Sequence, residues 1–356
     1  MMTSTAGSLG LPRAGKRPAW TLLGLSLAAL ACIAGSCFIG SVAIGPAEWR
    51  DAVLALLAGN DDAAPASLAA TLLTLRLGRA LSAFVTGATL SLAGVMMQAL
   101  LRNPLADPYV LGVSGGASVG ALAAILFASA AWMVDAAAFG GALAVAMLLF
   151  GLVHRDLRGG LPVEGNTPTL LLTGAIVASG CGALVTLMLS IAPDNRLRGM
   201  VFWLIGDLSA TQNRILPWLV WGVVLALALR AARGVNVLAM HADHAATLGI
   251  QVGRLRKGLF VGAALLTASA VSSAGSIGFV GLIVPHACRF TWGADHRILM
   301  PAAALSGGAF LVLADTLART VLAPQQLPVG VITDLIGVPV FLLQLHHVRR
   351  RGGGRG

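Results

Sequence analysis

The stretch Leu81-Ser-Ala-Phe-Val-Thr-Gly-Ala-Thr-Leu-Ser-Leu-Ala-Gly-Val-Met-Met-Gln98 decides the class of this protein, because no charged residue falls between Arg79 and Arg102. A helix needs about 20 such residues to cross the hydrocarbon core of a bilayer. A helix is the form to expect, since in lipid every backbone N–H and C=O must be paired within its own segment. The quoted run belongs to a span at 68–98, and working outward from it nine more follow, near 20–42, 110–130, 134–153, 169–191, 214–232, 258–275, 277–294, 298–318 and 328–346. The boundary between 258–275 and 277–294 is marked only by Gly275–Gly278. The run at 20–42 follows basic residues as a signal peptide would, but it exceeds a usual signal core and shows no small-residue cleavage site, so it counts as a helix.

Composition agrees. Of 356 residues 57% are apolar and only 11% charged, less than half the roughly 25% of a soluble domain. The 44 glycines form no Gly/Ser tract, which suits close helix packing better than flexible loops. Soluble enzymes, disordered regulators and secreted disulfide domains are excluded. Cys32, Cys37, Cys181 and Cys288 lie in or beside apolar runs without a C-x-x-C pair and read as small buried hydrophobes. The expected fold is all-α, a polytopic membrane protein of about ten transmembrane helices.

Charge sets the orientation. With the N-terminus inside, the inner segments hold 17 Lys and Arg residues and the outer ones 7, the bias expected of cytoplasmic loops. Both termini are then cytoplasmic, with a basic tail at 1–19, a transmembrane domain at 20–346 whose longest cytoplasmic loop is expected at 234–257, and a second basic tail at 347–356. The net charge of +10 is therefore topological: the basic residues sit between apolar runs, so the partner is a lipid bilayer and not a nucleic acid. Arg76, Arg79 and Arg319 stand on the outer side against this bias. Snorkelling or an i,i+4 pair such as Asp315–Arg319 would explain them, and so would an electropositive face that docks an acidic partner.

Several motifs resemble chemistry without its context. Gly10-x-x-x-x-Gly15-Lys16 ends in Arg17, where a phosphate-cradling loop needs a hydroxyl, and no strand precedes it. Gly112-Val-Ser114-Gly-Gly116 contains a G-x-S-G of the rhomboid type, for which Ser114 would need His286 as base; a glycine-rich helix start is the simpler reading. His241-x-x-His244 and His346-His347 lack an acidic or thiol ligand to complete a metal site. No cofactor and no enzymatic activity are expected. An ion-coupled secondary transporter is the alternative class, yet the spans carry no clustered charge for a proton relay.

Three groups of motifs, in order along roughly residues 20–346, carry a resemblance. The first is Arg76-Leu-Gly-Arg79, then Gln98-Ala-Leu-Leu-Arg-Asn103-Pro-Leu105-Ala-Asp107-Pro108 and Leu111-Gly-Val-Ser114-Gly-Gly-Ala117. The second is Ala239-Met-His-Ala-Asp-His-Ala-Ala-Thr-Leu248-Gly249-Ile250. The third is Gly275-Ser-Ile-Gly278-Phe-Val-Gly281-Leu-Ile-Val-Pro285-His286, with Asp295-His296-Arg297, Ala314-Asp315 and Leu327-Pro328-Val-Gly330. This set resembles the permease subunit of binding-protein-dependent ABC importers for cobalamin, haem and ferric siderophores. Gly78 departs from the family's usual proline in R-L-P-R.

The resemblance implies a homodimer with the translocation path on its two-fold axis, two cytoplasmic ATPase subunits, one periplasmic substrate-binding protein and a metal-chelate substrate, in the bacterial inner (cytoplasmic) membrane. It implies that Arg76, Arg79 and Arg319 dock glutamates of the binding protein, and that Asn103, Leu105, Thr167 and Pro168 narrow the cytoplasmic end of the path. It implies ATPase coupling through Ala239, Met240, His241, Ala242, Asp243, His244, Ala245, Ala246, Thr247, Leu248 and Gly249. Thr173, Ser179 and Thr186 are expected to line the path, and Arg196 and Arg198 to stand near its outer mouth. The stretch Phe202-Trp-Leu-Ile-Gly-Asp-Leu208 tilts the choice of cargo toward cobalamin.

Overall fold

The computed structural model describes residues 18–40, 45–58, 68–127, 130–158, 163–209, 215–240 and 250–352. The regular elements among them are helices: α1 (Pro18–Phe38), α2 (Pro46–Ala58), α3 (Leu68–Leu101), α4 (Val113–Leu126), α5 (Ala131–Arg158), α6 (Val163–Ile191), α7 (Asp194–Ile205), α8 (Ile215–Met240), α9 (Val252–Ala274), α10 (Val280–Trp292), α11 (His296–Thr320) and α12 (Val329–Gly352). A 3₁₀ turn at Pro108–Leu111 precedes α4.

Each of the ten expected segments holds a helix, but they are not alike. Seven, namely α1, α3, α5, α6, α8, α9 and α11, are long and apolar enough to cross a bilayer unaided, and α4 and Val329–Gln344 of α12 are shorter apolar helices. The 13 residues of α10 extend only about 20 Å at 1.5 Å per residue. Both α4 and α10 begin from irregular backbone packed against protein, the setting in which non-helical chain is tolerated at membrane depth.

Two helices were not expected, α2 and α7. Each starts at a proline-marked turn with an acid in its first turn, Glu48 and Asp194, which suits the positive end of the helix dipole. The Glu48 carboxylate also accepts from the Gly45 N–H at 3.1 Å. One face of α2 packs inward, with Ala52 buried beside Cys37, Ala69 and Leu73, while Trp49 stacks on Phe38 at 4.0 Å between ring centroids. Arg50 and Asp51 face out and pair with each other.

The central element is α3. Its most apolar window is 94% buried, against 11% for that of α6, although both are equally plausible spans by composition. Small residues create the difference. Gly87 lies so close to the Gly307 carbonyl of α11, and Gly94 to the Gly281 carbonyl of α10, that neither position has room for a Cβ, the close approach that drives helix association in lipid.

Contacts between helix ends bring α1, α3 and α11 together at one side. The last turn of α1 (Ser36, Cys37) meets Arg319 at the end of α11 and Arg76 of α3, and α12 starts from this same end. The opposite tips of α1 and α12, which lead to the two chain termini, therefore point to one side, the basic side. At 34 residues, α3 is about 51 Å long, well beyond the roughly 30 Å of hydrocarbon. Its Arg76 and Arg79 can therefore belong to a helix and still stand at the outer boundary.

Candidate functional site

Three regions carry the residues singled out above, and they lie at the outer end, along an exposed helix face and at the inner end of the bundle. At the outer end Asp315 of α11 is 1% exposed. Its carboxylate takes the Arg79 guanidinium, with Nε 3.0 Å from both oxygens and Nη2 2.8 Å from Oδ1. On its other side the Arg319 Nε lies 3.2 Å from Oδ2. Two guanidiniums thus share one carboxylate. Arg79 reaches on to Gln326 Oε1 at 2.8 Å. Arg319 donates to the Ser36 carbonyl (3.3 Å) and hydroxyl (3.2 Å) and to Thr316 Oγ1 (3.3 Å), and Arg76 donates to the Cys37 carbonyl at 3.1 Å.

These contacts satisfy carbonyls at the C-terminus of α1, which no intrahelical N–H can reach, and they tie α1 to α3 and α11. Arg76 and Arg319 are only 7% and 5% exposed. The guanidinium of Arg76 fills the space a side chain at Gly40 would need. The i,i+4 pair Asp315–Arg319 is present, joined by an interhelical partner, Arg79, that sequence spacing could not indicate. Of the three arginines Arg79 is the most open, its side chain 12% exposed.

The second region is the exposed face of α6. Ser179, Thr186 and Ser190 are exposed, and each hydroxyl donates to the carbonyl four residues earlier, at 2.9, 3.0 and 2.8 Å. Their donors being engaged within the helix, they present a surface that is polar but weakly interacting. Near the outer end of α6, Arg198 lines a cavity of about 480 Å³ together with Asp135, Asn195, Asp207 and Ser273. Arg196 is engaged differently: its Nη1 donates to the carbonyls of Ile125 and Leu126 and closes the end of α4.

The third region is the turn after α3. Arg102 takes a left-handed φ of 50° and stops the helix. The Asn103 carboxamide then accepts from the Leu105 N–H at 2.9 Å, and Asp107 accepts from the Tyr109 N–H at 2.7 Å, two local Asx turns of the type such residues favour. Among the described residues no hydrogen bond joins His286 to Ser114, so the pair a rhomboid-type serine would need is not assembled. Gln98 bridges the inner ends of α3 and α10, donating to the Leu282 carbonyl at 3.3 Å and accepting from Arg289 at 3.4 Å. The chain's single tyrosine joins the two irregular stretches: Tyr109 donates to the Ile277 carbonyl at 2.9 Å and accepts from the Ile277 N–H at 3.0 Å.

The other expected residues fall as follows. Thr167 and Pro168 lie in the first turns of α6, their side chains outside those described. The loop expected at 234–257 is helical at both ends, because α8 runs on to Met240 and α9 starts at Val252; Ala239 and Met240 thus end α8, while His241, Ala242, Asp243, His244, Ala245, Ala246, Thr247, Leu248 and Gly249 lie outside the described residues. Residues 1–17 and Arg214 also lie outside them. Tyr109 and Gln98 were missed as connectors. A polar or aromatic residue that occurs once beside an apolar run was the only available signal.

Comparison with known proteins places this arrangement. The sequence model described as the FecCD transport family matches residues 27–347. The chain is 42% identical over 311 residues to the cobalamin import system permease protein BtuC of Halobacterium salinarum, covering 85% of this chain and 81% of that one. It is 39% identical over 296 residues to the hemin transport system permease protein HmuU of Yersinia pestis, covering 79% and 85%. Its fold is similar to that of a metal-chelate type ABC transporter solved in an inward-facing conformation, with a TM-score of 0.79 and 27% identity over 92% of this chain and 99% of that one.

Proposed function

Because the chain belongs to the FecCD transport family, a family of membrane permeases, we propose that it is the transmembrane subunit of a binding-protein-dependent ABC importer for a large metal chelate. The observation that carries this is the match along residues 27–347, joined to relatives named for cobalamin and for hemin at similar identity. On this reading the cargo is a corrin, a haem or a ferric siderophore, moved inward across the bacterial cytoplasmic membrane. ATP is hydrolysed on two separate cytoplasmic subunits, and a periplasmic protein delivers the cargo.

The chain acts as a homodimer, with the exposed faces of two α6 helices flanking the path. Their hydroxyls, already bonded within the helix, suit a channel that must not hold its cargo. The Asn103–Leu105 turn, with Thr167 and Pro168 opposite, narrows the inner end of the path. The segment from Ala239 to Gly249 contacts the ATPase.

Docking of the binding protein falls to the outer cluster in a modified form. Arg76 and Arg319 are too buried to reach a partner as free side chains. Arg79, however, shares Asp315 with Arg319, so the pair leaves one positive charge in excess next to the more open guanidinium. An incoming carboxylate would neutralise it, and contacts of this kind steer association and set its salt dependence.

The test is a mild-detergent pull-down of the tagged chain from its native membrane, read by mass spectrometry and by absorbance. An ABC ATPase in the eluate, and a binding protein carrying a corrin, haem or siderophore chromophore, are the expected result. No ATPase after crosslinking would overturn the reading in favour of an ion-coupled transporter, whose uptake an uncoupler would abolish.

A further inference from the structure

One exposed charge on α12 has no part in the roles assigned so far. Asp334 is the only charged residue between Arg319 and Arg349, and it falls within the apolar run at 328–346. It lies five residues beyond Val329, where α12 starts, or about 7 Å along the axis at 1.5 Å per residue. The chain just before α12 belongs to the outer end, since Gln326 holds Arg79 there. The carboxylate therefore stands below the outer cluster, in the outer half of the span.

Asp334 is exposed. Among the described residues no hydrogen bond reaches its carboxylate, and no Lys or Arg lies within ion-pair distance of it. Asp315 makes the contrast, being 1% exposed and shared by two guanidiniums. The protein satisfies Asp315 by itself and leaves Asp334 unsatisfied. Acyl chains cannot solvate a carboxylate, so an acid placed like Asp334 faces the interior of an assembly or a water-filled cavity.

Its neighbours show which face it shares. The Asp334 Oδ1 atom lies 2.8 Å from where a Cβ at Gly278 would stand, and the Phe279 ring closes on Gly337 in the same way. Next to Gly278, Ile277 is held by Tyr109 through both its N–H and its carbonyl. Tyr109 belongs to the 3₁₀ turn that ends at Gly112, and Gly112 abuts Gly174 and Ala178 of α6. One continuous wall thus runs from α12 through the 275–279 stretch and the 3₁₀ turn to α6. Asp334 is exposed at one end of it, and Ser179 at the other.

The charge of this wall is negative. On the outer side of the 275–279 stretch, the cavity lined by Gly275 sets Asp135 and Asp207 against Arg198, two carboxylates to one guanidinium. Asp334 adds a further carboxylate with no cation beside it. Walls of low dielectric focus such an excess into the space they enclose.

We propose that Asp334 lines the outer half of the translocation path and is a specificity-determining residue, repelling chelates of net negative charge and admitting neutral or cationic ones. This rests on the importer reading above and narrows its cargo. A haem carries ionised propionates and a tricatecholate ferric complex is more anionic still, whereas cyanocobalamin has no net charge. In a homodimer the two-fold axis presents the carboxylate from both sides of the path.

The test is thiol labelling beside the acid, in membranes that contain the full chain. Val338 is 45% exposed and lies one turn from Asp334 on the same helix face. Val338→Cys is treated with a cationic and with an anionic methanethiosulfonate, neither of which crosses lipid, in spheroplasts and in inside-out vesicles. The wild-type chain gives the background from the native cysteines. Both reagents should label, the cationic one about tenfold faster relative to its intrinsic rate, and adding Asp334→Asn should remove most of that preference. Leu335→Cys, at a residue 67% exposed, is the second reporter and decides alone if Val338→Cys does not reach the membrane.

No labelling at the reporters would put Asp334 against lipid or a second copy and overturn the inference. A charge preference that is absent, or unchanged by Asp334→Asn, overturns it as well. A hemin chromophore on a binding protein captured with the chain would overturn the cargo assignment. The importer reading fails separately, on a pull-down that brings no ATPase, a result the labelling does not touch.

Discussion

The two ends of the packed α3–α11 pair are built on opposite electrostatic plans. At the outer end charged groups converge: Arg76, Arg79 and Arg319 surround Asp315 and the carbonyls that end α1. Toward the inner side the links are mostly directional hydrogen bonds through neutral side chains, from Gln98 to Leu282 and from the Leu105 N–H to Asn103, while Tyr109 holds Ile277 deeper in the bundle. The outer plan tolerates a partner that brings its own charge. The inner plan fixes geometry, because a neutral hydrogen bond depends on angle more steeply than an ion pair does. On the proposed reading, a surface that must recognise and release a protein, and a turn that must hold a defined shape, call for these different chemistries.

The sharpest way to break the comparison is Asp315→Ala. It leaves Arg79 and Arg319 without their shared carboxylate, and removing one partner of a buried ion pair costs about 3–5 kcal/mol. A large drop in thermal stability in detergent is expected, little relieved by salt because the site is buried. Next comes Gly307→Leu, which drives a side chain into the Gly87 carbonyl. Backbone cannot yield as a flexible side chain can, so a loss of about 3 kcal/mol is expected, at the upper end of ordinary overpacking. Thermal unfolding of the purified variant measures this too.

Tyr109→Phe should cost less, about 1–2 kcal/mol, by leaving the Ile277 N–H and C=O unsatisfied. Its effect on melting should be the same in low and high salt, which separates the hydrogen-bonded plan from the ionic one. The smallest effect is expected for Arg79→Gln, since Arg319 still neutralises Asp315. Stability should change little, while binding-protein affinity falls about fivefold at low ionic strength and converges with wild type in high salt. Surface plasmon resonance across a salt series checks this, and an affinity ratio independent of salt would remove Arg79 from the docking face.

Much of the architecture was legible residue by residue. The span expected at 298–318 is α11 at His296–Thr320, and 68–98 is α3 at Leu68–Leu101, because long uncharged runs leave the chain no other way to pair its backbone in lipid. The short helices α2 and α7 were not legible. Their mixed sequences give no membrane signal, and they form where prolines and first-turn acids favour a helix start. The outer arginines stood out as exceptions to the charge bias, yet their burial and the reach of Arg79 to Asp315, 236 positions away, did not. The hydrogen bonds that join Asn236 of α8 to Asp295 and His296 gave no signal, since these partners lie 59 and 60 positions on and no periodicity links them.

By itself the sequence determined the class of the protein and the order of its ten apolar segments, and it gave the expected sidedness of their ends. These follow from the cost of unpaired backbone in hydrocarbon and from the sidedness of Lys and Arg. Only the tertiary structure decided which helices lie at the centre. In lipid an apolar face is equally content against acyl chains or another helix, so hydrophobicity carries no information about burial. The apolar runs of α3 and α6 read alike, and it is the approach of Gly87 to Gly307 and Gly94 to Gly281 that draws α3 into the core and leaves α6 exposed.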